Sequence, residues 1–133
     1  MKQINYSWAA GFFDGEGHVR AWLDGRNWLD ICLSASNTDK KTILRFKTIV
    51  GQGQIFLRKT KTRPIWIWSA STQQGAKVAR LLYPFSITKR KQLRLYIQLA
   101  EKTRGKRKRG LITPKLTEWR QKIIKQISEL KWT

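Results

Sequence analysis

Acidic residues are scarce in this sequence. Its 133 residues include 8 Asp and Glu against 28 Lys and Arg, which gives a formal net charge of +20. A small domain with so large a charge is expected to bind a polyanion. Nucleic acid is the first expectation, because neutralising phosphates and releasing counterions drives such binding. An anionic membrane surface is the second, but it usually needs one strongly amphipathic basic helix, and here the basic residues are spread along the chain.

Cysteine, histidine and long apolar runs are also scarce. Cys32 is the one cysteine and His18 the one histidine, so an internal disulfide and a zinc cluster are both excluded. These counts indicate a reducing, intracellular setting. No apolar run approaches the roughly 20 residues that span a bilayer, and no signal peptide is recognised, so no membrane partner is expected. With 133 residues, the chain is expected to form a single domain over 1–133, and its 41% hydrophobic residues indicate a folded protein rather than a disordered basic tail.

Apolar spacing and helix breakers predict an α+β domain with the order helix, hairpin, helix, hairpin, helix, followed by further helices. Gly15 and Gly17 are the expected stop of the first helix. A basic linker, KTRGKRKRG at 102–110, follows a core of about 1–100 and precedes a C-terminal helix of about 114–131. The predicted elements are a helix over 4–14, strands over 18–23 and 28–36, a helix from Thr38 or Asp39 to Gly51, strands over 54–58 and 64–71, and helices over 72–83, 88–103 and 114–130.

One face of the predicted sheet is polar and rich in aromatic residues. Any antiparallel sheet with one solvated face alternates in this way, but exposed aromatic patches usually mark interaction surfaces. A twisted antiparallel ribbon fits the DNA major groove, where Arg, Gln, Ser and Asp read base edges. An alternative is that some of the tryptophans face a second protein layer. The residues expected to contact DNA are Arg20, Trp22, Asp30, Cys32, Ser34, Ser36, Gln54, Phe56, Arg58, Trp66 and Trp68 on the strands, and Lys59, Lys61 and Arg63 at the turn.

The stretch AAGFFDGEG places two of the scarce acids between glycines. Its small residues lie one helical turn apart, so a second backbone can approach this side of the helix closely. A twofold contact there would bring two copies of Glu16 together, and carboxylates at a helix C-terminus attract hard divalent cations. On spacing alone, Asp14 and Glu16 are equally well explained as caps or solvated loop residues. The contact residues expected are Ala10, Gly11, Asp14 and Gly15.

The same stretch resembles the signature of the LAGLIDADG homing endonucleases. The predicted order of helices and hairpins resembles that family's core. Further stretches resemble other parts of the family: SASNTDKK at 34–41, YPFSITKRKQ at 83–92, and TPKLTEWRQKI near the end of the chain. The resemblance covers nearly the whole chain. It implies an α+β fold with the LAGLIDADG core, αββαββα, an antiparallel DNA-binding sheet and extra C-terminal helices.

The resemblance also implies roles for individual residues. Glu16 matches the metal-binding acid that ends the motif, where Asp is commoner, and Gly15 matches a position whose carbonyl assists metal binding. Asp14 matches an acid with a structural role. Asp39 matches a polar residue that organises the nucleophilic water, and Lys89 matches a basic residue that stabilises transition-state charge. Arg90 and Lys91 are nearby competitors for that role, and their alternative role is to attract phosphates. The implied cofactor is Mg²⁺, or another hard divalent cation such as Mn²⁺ or Ca²⁺.

The motif occurs once, and residues 84–133 hold no repeat of it. Family members with one motif act as homodimers, so the resemblance implies a C2 dimer on a long, near-palindromic double-stranded DNA. It implies a site-specific, Mg²⁺-dependent homing endonuclease that hydrolyses phosphodiester bonds and takes no small-molecule substrate. A chain that begins at Met1 suggests an intron open reading frame, in an organelle or a prokaryotic cytoplasm.

Non-cleaving functions are the alternatives. An RNA maturase or a DNA-binding regulator would use the same basic, aromatic-rich surface, but such a binder has little need of Glu16. A structural RNA-binding protein, such as a ribosomal component, explains the charge but leaves the glycines and their acids unexplained. The carboxylate favours the enzyme, because a hard cation needs oxygen ligands.

Overall fold

The computed structural model describes residues 2–102 and 112–131 and confirms the predicted α+β architecture. Most of the basic linker predicted at 102–110 lies outside the described residues. The elements are α1 (Lys2–Glu16), β1 (Gly17–Leu23), β2 (Leu29–Asn37), α2 (Lys40–Val50), β3 (Gln54–Arg58), β4 (Ile65–Ser71), α3 (Thr72–Leu82), a 3-10 turn (Tyr83–Phe85), α4 (Arg90–Glu101) and α5 (Pro114–Leu130).

The four strands form one antiparallel sheet in the order β1-β2-β4-β3. Each hairpin pairs within itself, and the second strands of the two hairpins, β2 and β4, pair at the centre. Gly17 lies opposite Ala35, and Ala35 lies opposite Trp68, so one row of residues crosses three strands on a single face. The helices bury this face, and the other face stays open among the described residues.

An aromatic cluster joins the helices to the sheet. Phe46 of α2 meets Trp68 of β4 edge to face, with ring centroids 4.8 Å apart. The same ring lies 5.4 Å from Phe12 and 6.4 Å from Phe13 of α1. Because aromatic rings bury large apolar areas, this cluster fixes the positions of α1 and α2 over the sheet.

Helix α1 extends further than predicted. The predicted span of 4–14 is too short, since the helix continues through Gly15 to Glu16. Its stop is Gly17, where an added Cβ would lie 2.5 Å from the carbonyl oxygen of Phe13. Only glycine therefore lets the chain pass this sharply from helix into strand. Glu16 is the last helical residue rather than the first residue beyond the helix.

Strand β4 turns its tryptophans toward the helices, so the prediction that Trp66 and Trp68 lie on the open face is wrong. Trp68 is fully buried, and its indole N–H donates a 2.8 Å hydrogen bond to the Gln52 carbonyl. Trp66 packs against the core, with the Lys40 ammonium 4.7 Å from its ring centre. The alternative that the tryptophans face a protein layer is confirmed for both. The open face of β4 carries Ile65, Ile67, Ser69 and Ser71 instead.

Helix α5 packs against α4 and β1. It begins at Pro114 as predicted, and the Thr113 side chain caps it by accepting a 3.1 Å hydrogen bond from the Leu116 N–H. Ile123 of α5 is buried, and the far end of the helix brings Lys131 to the edge of the open sheet face. None of the described helices is both long enough and apolar enough to cross a membrane.

Candidate functional site

The carboxylate of Asp14 fastens α1 to the segment that precedes α4. It accepts hydrogen bonds from the Ser86 hydroxyl and from the main-chain N–H groups of Ile87, Thr88 and Lys89, the last three at 2.8, 3.2 and 3.1 Å. Burial raises the pKa of this carboxyl, but the hydrogen bonds outweigh burial and hold the pKa of Asp14 below its ordinary value. The carboxylate contacts its own chain, and a place for the partly exposed Asp14 in a subunit contact stays a prediction.

Lys89 is anchored beside the end of α1. Its ammonium group donates a 2.6 Å hydrogen bond to the main-chain carbonyl of Asp14, and its main chain caps the start of α4. Partial burial lowers the pKa of Lys89, and the carboxylates of Asp14 and Glu16 oppose that shift. An ammonium has three N–H donors, so donors remain that can contact an anion at this position.

Glu16 and Gly15 form the exposed end of α1. The carbonyl groups of a last helical turn lack intrahelical partners and carry partial negative charge. A carboxylate beside such carbonyls is an oxygen-only donor set of the kind that Mg²⁺ and Ca²⁺ prefer. Within 2–102 and 112–131, no three His, Cys, Asp or Glu side chains come together as a metal cluster. One chain therefore offers only some of the oxygen ligands that Mg²⁺ or Ca²⁺ requires. The other ligands would have to come from outside the described chain.

Asp39 is the N-cap residue of α2. Its carboxylate accepts a 2.7 Å hydrogen bond from the Thr42 hydroxyl, and its side chain is exposed. Because Gly17 pairs with Ala35, the chain beyond Ala35 runs past the start of β1 and toward the end of α1. The fold therefore brings Asp39 to the end of the sheet where Glu16 lies.

An open depression of about 600 Å³ adjoins the end of α1. Its lining includes Gly15 and Lys89, which the sequence predicted as site residues. It also includes Lys91, an alternative to Lys89 in the sequence prediction, and His18 and Lys131, which the sequence did not indicate. The alternation of residues along β1 predicts that His18 lies on the open face. The position of Lys131 depends on the packing of α5, and no local sequence pattern predicts it.

His18 lies where this depression meets the open sheet face. Burial lowers the pKa of its imidazole, and the positive charges of Lys89, Lys131 and Arg20 lower it further, while Glu16 opposes them. Several cations therefore surround the end of α1, as a site for a phosphate group requires.

The open sheet face carries the other strand residues that the sequence predicted to contact DNA. Cross-strand neighbours there include Arg20 with Cys32, Trp22 with Asp30, and Phe56 with Ile67. The middle of the face is a depression of about 370 Å³. The predicted residues found on this face are Arg20, Trp22, Asp30, Cys32, Ser34, Ser36, Gln54, Phe56 and Arg58, and the residues that the prediction missed are His18, Ile65, Ile67, Ser69 and Ser71.

Both hairpin turns carry exposed basic residues. Lys59 and Lys61 are exposed in the β3–β4 turn, where the Thr60 hydroxyl accepts main-chain N–H bonds within the turn. In the β1–β2 turn, the Arg26 guanidinium lies 4.0 Å from the ring centre of Trp28. Arg26 is also paired with Asp24 of its own turn, at 3.5 Å, so its charge is offset. The β3–β4 turn is the positive one, and it lies at a position suited to contact phosphates.

Fewer residues of α1 are exposed than the sequence predicted for a contact between two subunits. Ala10 is fully buried in the core of its own chain, so its predicted place in a subunit contact is wrong. Gly11 and Gly15 are exposed, and a Cβ added to either would meet no atom within 4 Å. Ile4, which is 67% exposed, lies on the same side of the helix by its spacing of seven residues from Gly11. A second helix has room to approach along this side.

Comparison of the sequence with protein-family models and with curated proteins gives no match. Solved structures do match. The homing endonuclease I-CvuI, in complex with DNA, is 19% identical, with a TM-score of 0.79, and the match covers 97% of this chain and 83% of that one. The archaeal intron-encoded homing endonuclease I-Vdi141I, complexed with DNA, is 14% identical, with a TM-score of 0.79 over 98% of this chain and 86% of that one.

A further similar structure comes from a longer chain. The LAGLIDADG meganuclease I-AabMI, bound to uncleaved DNA, is 18% identical with a TM-score of 0.66, and the match covers 94% of this chain but 43% of that one. Each of these three matches covers more than nine-tenths of this chain. This chain therefore has the LAGLIDADG homing endonuclease fold.

Proposed function

We propose that this protein is a site-specific endonuclease of the homing type, which hydrolyses double-stranded DNA with a divalent cation and acts as a homodimer. The observation that carries the proposal is the exposed Glu16 carboxylate beside the anchored Lys89 ammonium, at one end of an open sheet face. A net charge of +20 attracts DNA to the protein. The similar structures of I-CvuI and I-Vdi141I are DNA complexes.

The end of α1 would hold the cation. Glu16 supplies a carboxylate and Gly15 a main-chain carbonyl, both oxygen donors suited to Mg²⁺, or to Mn²⁺ or Ca²⁺ in its place. Structures of I-CvuI were determined in the presence of magnesium and of calcium. When bound, such an ion supplies a Lewis acid beside the phosphate.

Asp39 and Lys89 would act on the water and on the phosphate. The exposed Asp39 carboxylate accepts a hydrogen bond from a water molecule and orients its oxygen toward the phosphorus atom. Hydrolysis joins that oxygen to phosphorus and breaks the bond to the leaving sugar oxygen. The water loses a proton to solvent in this step, and the leaving oxygen takes one up from solvent. Lys89, held by the Asp14 carbonyl, stabilises the negative charge that grows on the phosphate oxygens.

A second copy of the chain would complete the site. One chain contributes a single exposed carboxylate at α1, and Gly11 and Gly15 leave room for the same helix of a partner. The match to I-AabMI covers 43% of that chain, so one copy of this chain corresponds to less than half of it. A C2 pair would be of comparable size and would carry two copies of Glu16, one for each DNA strand.

The open sheet face would read the target. Its Arg, Gln, Ser and Asp side chains suit base edges in the major groove, and the basic β3–β4 turn suits phosphates. Two such faces related by a twofold axis read two similar half-sites, so the target is a long, near-palindromic duplex. We expect the protein to act where such DNA resides, in an organelle or a prokaryotic cytoplasm, and on no small-molecule substrate.

Cleavage of a randomised plasmid library in the presence of Mg²⁺ tests the proposal. We expect the intact protein to cut a small set of related targets, and Glu16→Gln to bind those targets without cutting them. Glu118→Gln is the matched control, because it makes the same change of charge at an exposed position in the first half of α5. It should cut normally.

Two results would reject the nuclease. One is an intact protein that never nicks or cuts any target, and the other is Glu16→Gln that cuts as fast as the intact protein. Specific binding without any cleavage would favour the maturase or regulator alternative, in which Glu16 has no chemical role.

A further inference from the structure

The β3–β4 side of the open sheet face is apolar. Phe56 is 50% exposed and lies opposite Ile67, which is 8% exposed, and the half-buried Ile65 follows on the same face of β4. Phe56 is therefore the most accessible of the three side chains. These three side chains, the apolar patch, line the 370 Å³ depression together with Ser34 and Ser36. A sheet face that contacts only solvent is typically polar. An apolar cluster on this face therefore indicates an interaction surface.

Small and charged side chains complete the depression. The middle of the depression is lower than its edges because its side chains are small and end in a thiol or a hydroxyl. These side chains are Cys32, Ser34, Ser36 and Ser69. Arg20 on β1 and Arg58 on β3 lie toward its two sides. The depression is a shallow trough that has arginines at both edges and the apolar patch along the β3–β4 side.

Thymine is the base that such a patch fits. In the major groove it presents a C5-methyl group, whereas cytosine presents an amine there and the purines present N7 acceptors. We propose that the apolar patch of Phe56, Ile65 and Ile67 contacts thymine methyl groups in the major groove and so selects thymine within each half of the DNA target. This inference rests on the proposed endonuclease function.

A protein partner is the other occupant that an exposed apolar patch attracts. Charge favours DNA. Arg58 and Lys59 adjoin the patch on β3 and in the following turn, and the chain carries a net charge of +20. A phosphate backbone supplies the negative charge that these residues need on both sides of the bases.

Deoxyuridine in place of thymine tests the inference, because it removes the C5-methyl group and leaves base pairing unchanged. Duplexes are first selected from a randomised library by binding to the full chain. We expect thymine to be enriched at one or more positions in both halves. Deoxyuridine at such a position should weaken binding about fourfold per half-site, as expected for one methyl group that loses its burial.

Two variants connect the effect to the patch. Phe56→Ala should bind the thymine and deoxyuridine duplexes equally, and it is expected to fold because the side chain is half exposed. Gln54→Ala changes another residue of the same face of β3. It should weaken binding to both duplexes by the same factor and keep the fourfold ratio. Thermal unfolding of both variants checks that each is folded.

The outcomes separate the two proposals. Selected duplexes without a thymine preference, or equal binding of thymine and deoxyuridine by the intact protein, would overturn the inference and leave the nuclease function standing. Failure to bind any duplex would overturn both and would assign the patch to a protein partner.

Discussion

Two hydrogen bonds join Lys89 to Asp14. The Lys89 ammonium donates to the Asp14 main-chain carbonyl, and the Lys89 main-chain N–H donates to the Asp14 carboxylate, across 75 positions of sequence. This reciprocal contact ties the helix that ends in Glu16 to the start of α4. The acidic and basic groups of the candidate site therefore keep a fixed relationship to one another.

Asp14→Asn should destabilise the fold. The carboxylate accepts four hydrogen bonds, and an amide has one acceptor oxygen and an NH₂ group that faces donors. We expect the free energy of unfolding to fall by about 2 kcal/mol, within the range for hydrogen bonds to a charged group. Urea unfolding at neutral pH measures it. Glu118→Gln, at an exposed position, should change it by less than about 0.5 kcal/mol.

Acid titration of the same two proteins gives an independent check. The folded-state pKa of Asp14 lies below the ordinary value of 3.8. Such a group stabilises the fold fully above its unfolded-state pKa, and the contribution is lost as the pH falls through the folded-state pKa. The stability difference between intact protein and Asp14→Asn should therefore stay constant near neutrality and shrink below about pH 4. A difference that persists in acid would contradict the assignment.

Lys89→Met should slow cleavage far more than it weakens DNA binding. The ammonium lies beside the expected phosphate position, so we expect the cleavage rate to fall about 100- to 1000-fold. Arg90→Met is the control, because the Arg90 guanidinium lies 4.6 Å from the ring centre of Tyr83 and has no hydrogen bond to α1 among the described residues. Single-turnover cleavage and duplex affinity are measured for both. Equal rate losses would mean that Lys89 only attracts phosphate.

Gly11→Leu should separate the stability of one chain from the association of two. A Cβ at Gly11 meets no atom within 4 Å, and Leu is favoured over Gly in a helix by about 0.8 kcal/mol. The melting temperature of the chain should hold or rise. The added side chain would keep two α1 helices apart, so dimers and cleavage should be lost, as sedimentation with duplex DNA can measure.

Gly75→Ala provides the opposite case. Its Cβ would lie 2.9 Å from the Ala70 carbonyl oxygen inside the chain, so it should lower the melting temperature. Two chains of Gly11→Leu on each duplex would contradict the proposed contact along α1.

The order of elements follows from local signals, and several of these are strong. In β1 and β2 one set of alternating residues is plainly apolar, so Val19, Ile31 and Leu33 turn to the core as expected. Gly51 ends α2 in the left-handed conformation, at a φ of 71° that few side chains adopt. In β4 the residues on both faces of the strand are apolar, so their alternation does not predict which face is buried. The face that carries the large Trp68 side chain is the buried one.

The contacts of the site depend on residues far apart in sequence. The stretch AAGFFDGEG identifies the acids, but the donors that use the Asp14 carboxylate lie more than 70 positions away. Lys131 reaches the site because α5 packs against β1, and no pattern near Lys131 encodes that packing. Local patterns therefore predict which residues matter, and tertiary packing decides what they contact.

Substitutions of Trp68 and Trp22 test whether tertiary packing places one tryptophan in the core and the other on the open sheet face. Trp68 is fully buried, so Trp68→Phe removes packing volume and leaves the Gln52 carbonyl without its indole donor. We expect the free energy of unfolding to fall by about 2 kcal/mol. Trp22 is 40% exposed on the open face, next to the Arg20 guanidinium. Trp22→Phe should change stability by less than about 0.5 kcal/mol and weaken duplex binding. If Trp68→Phe instead spared stability and impaired DNA binding, the tryptophans of β4 would face DNA, and the packing described for that strand would be wrong.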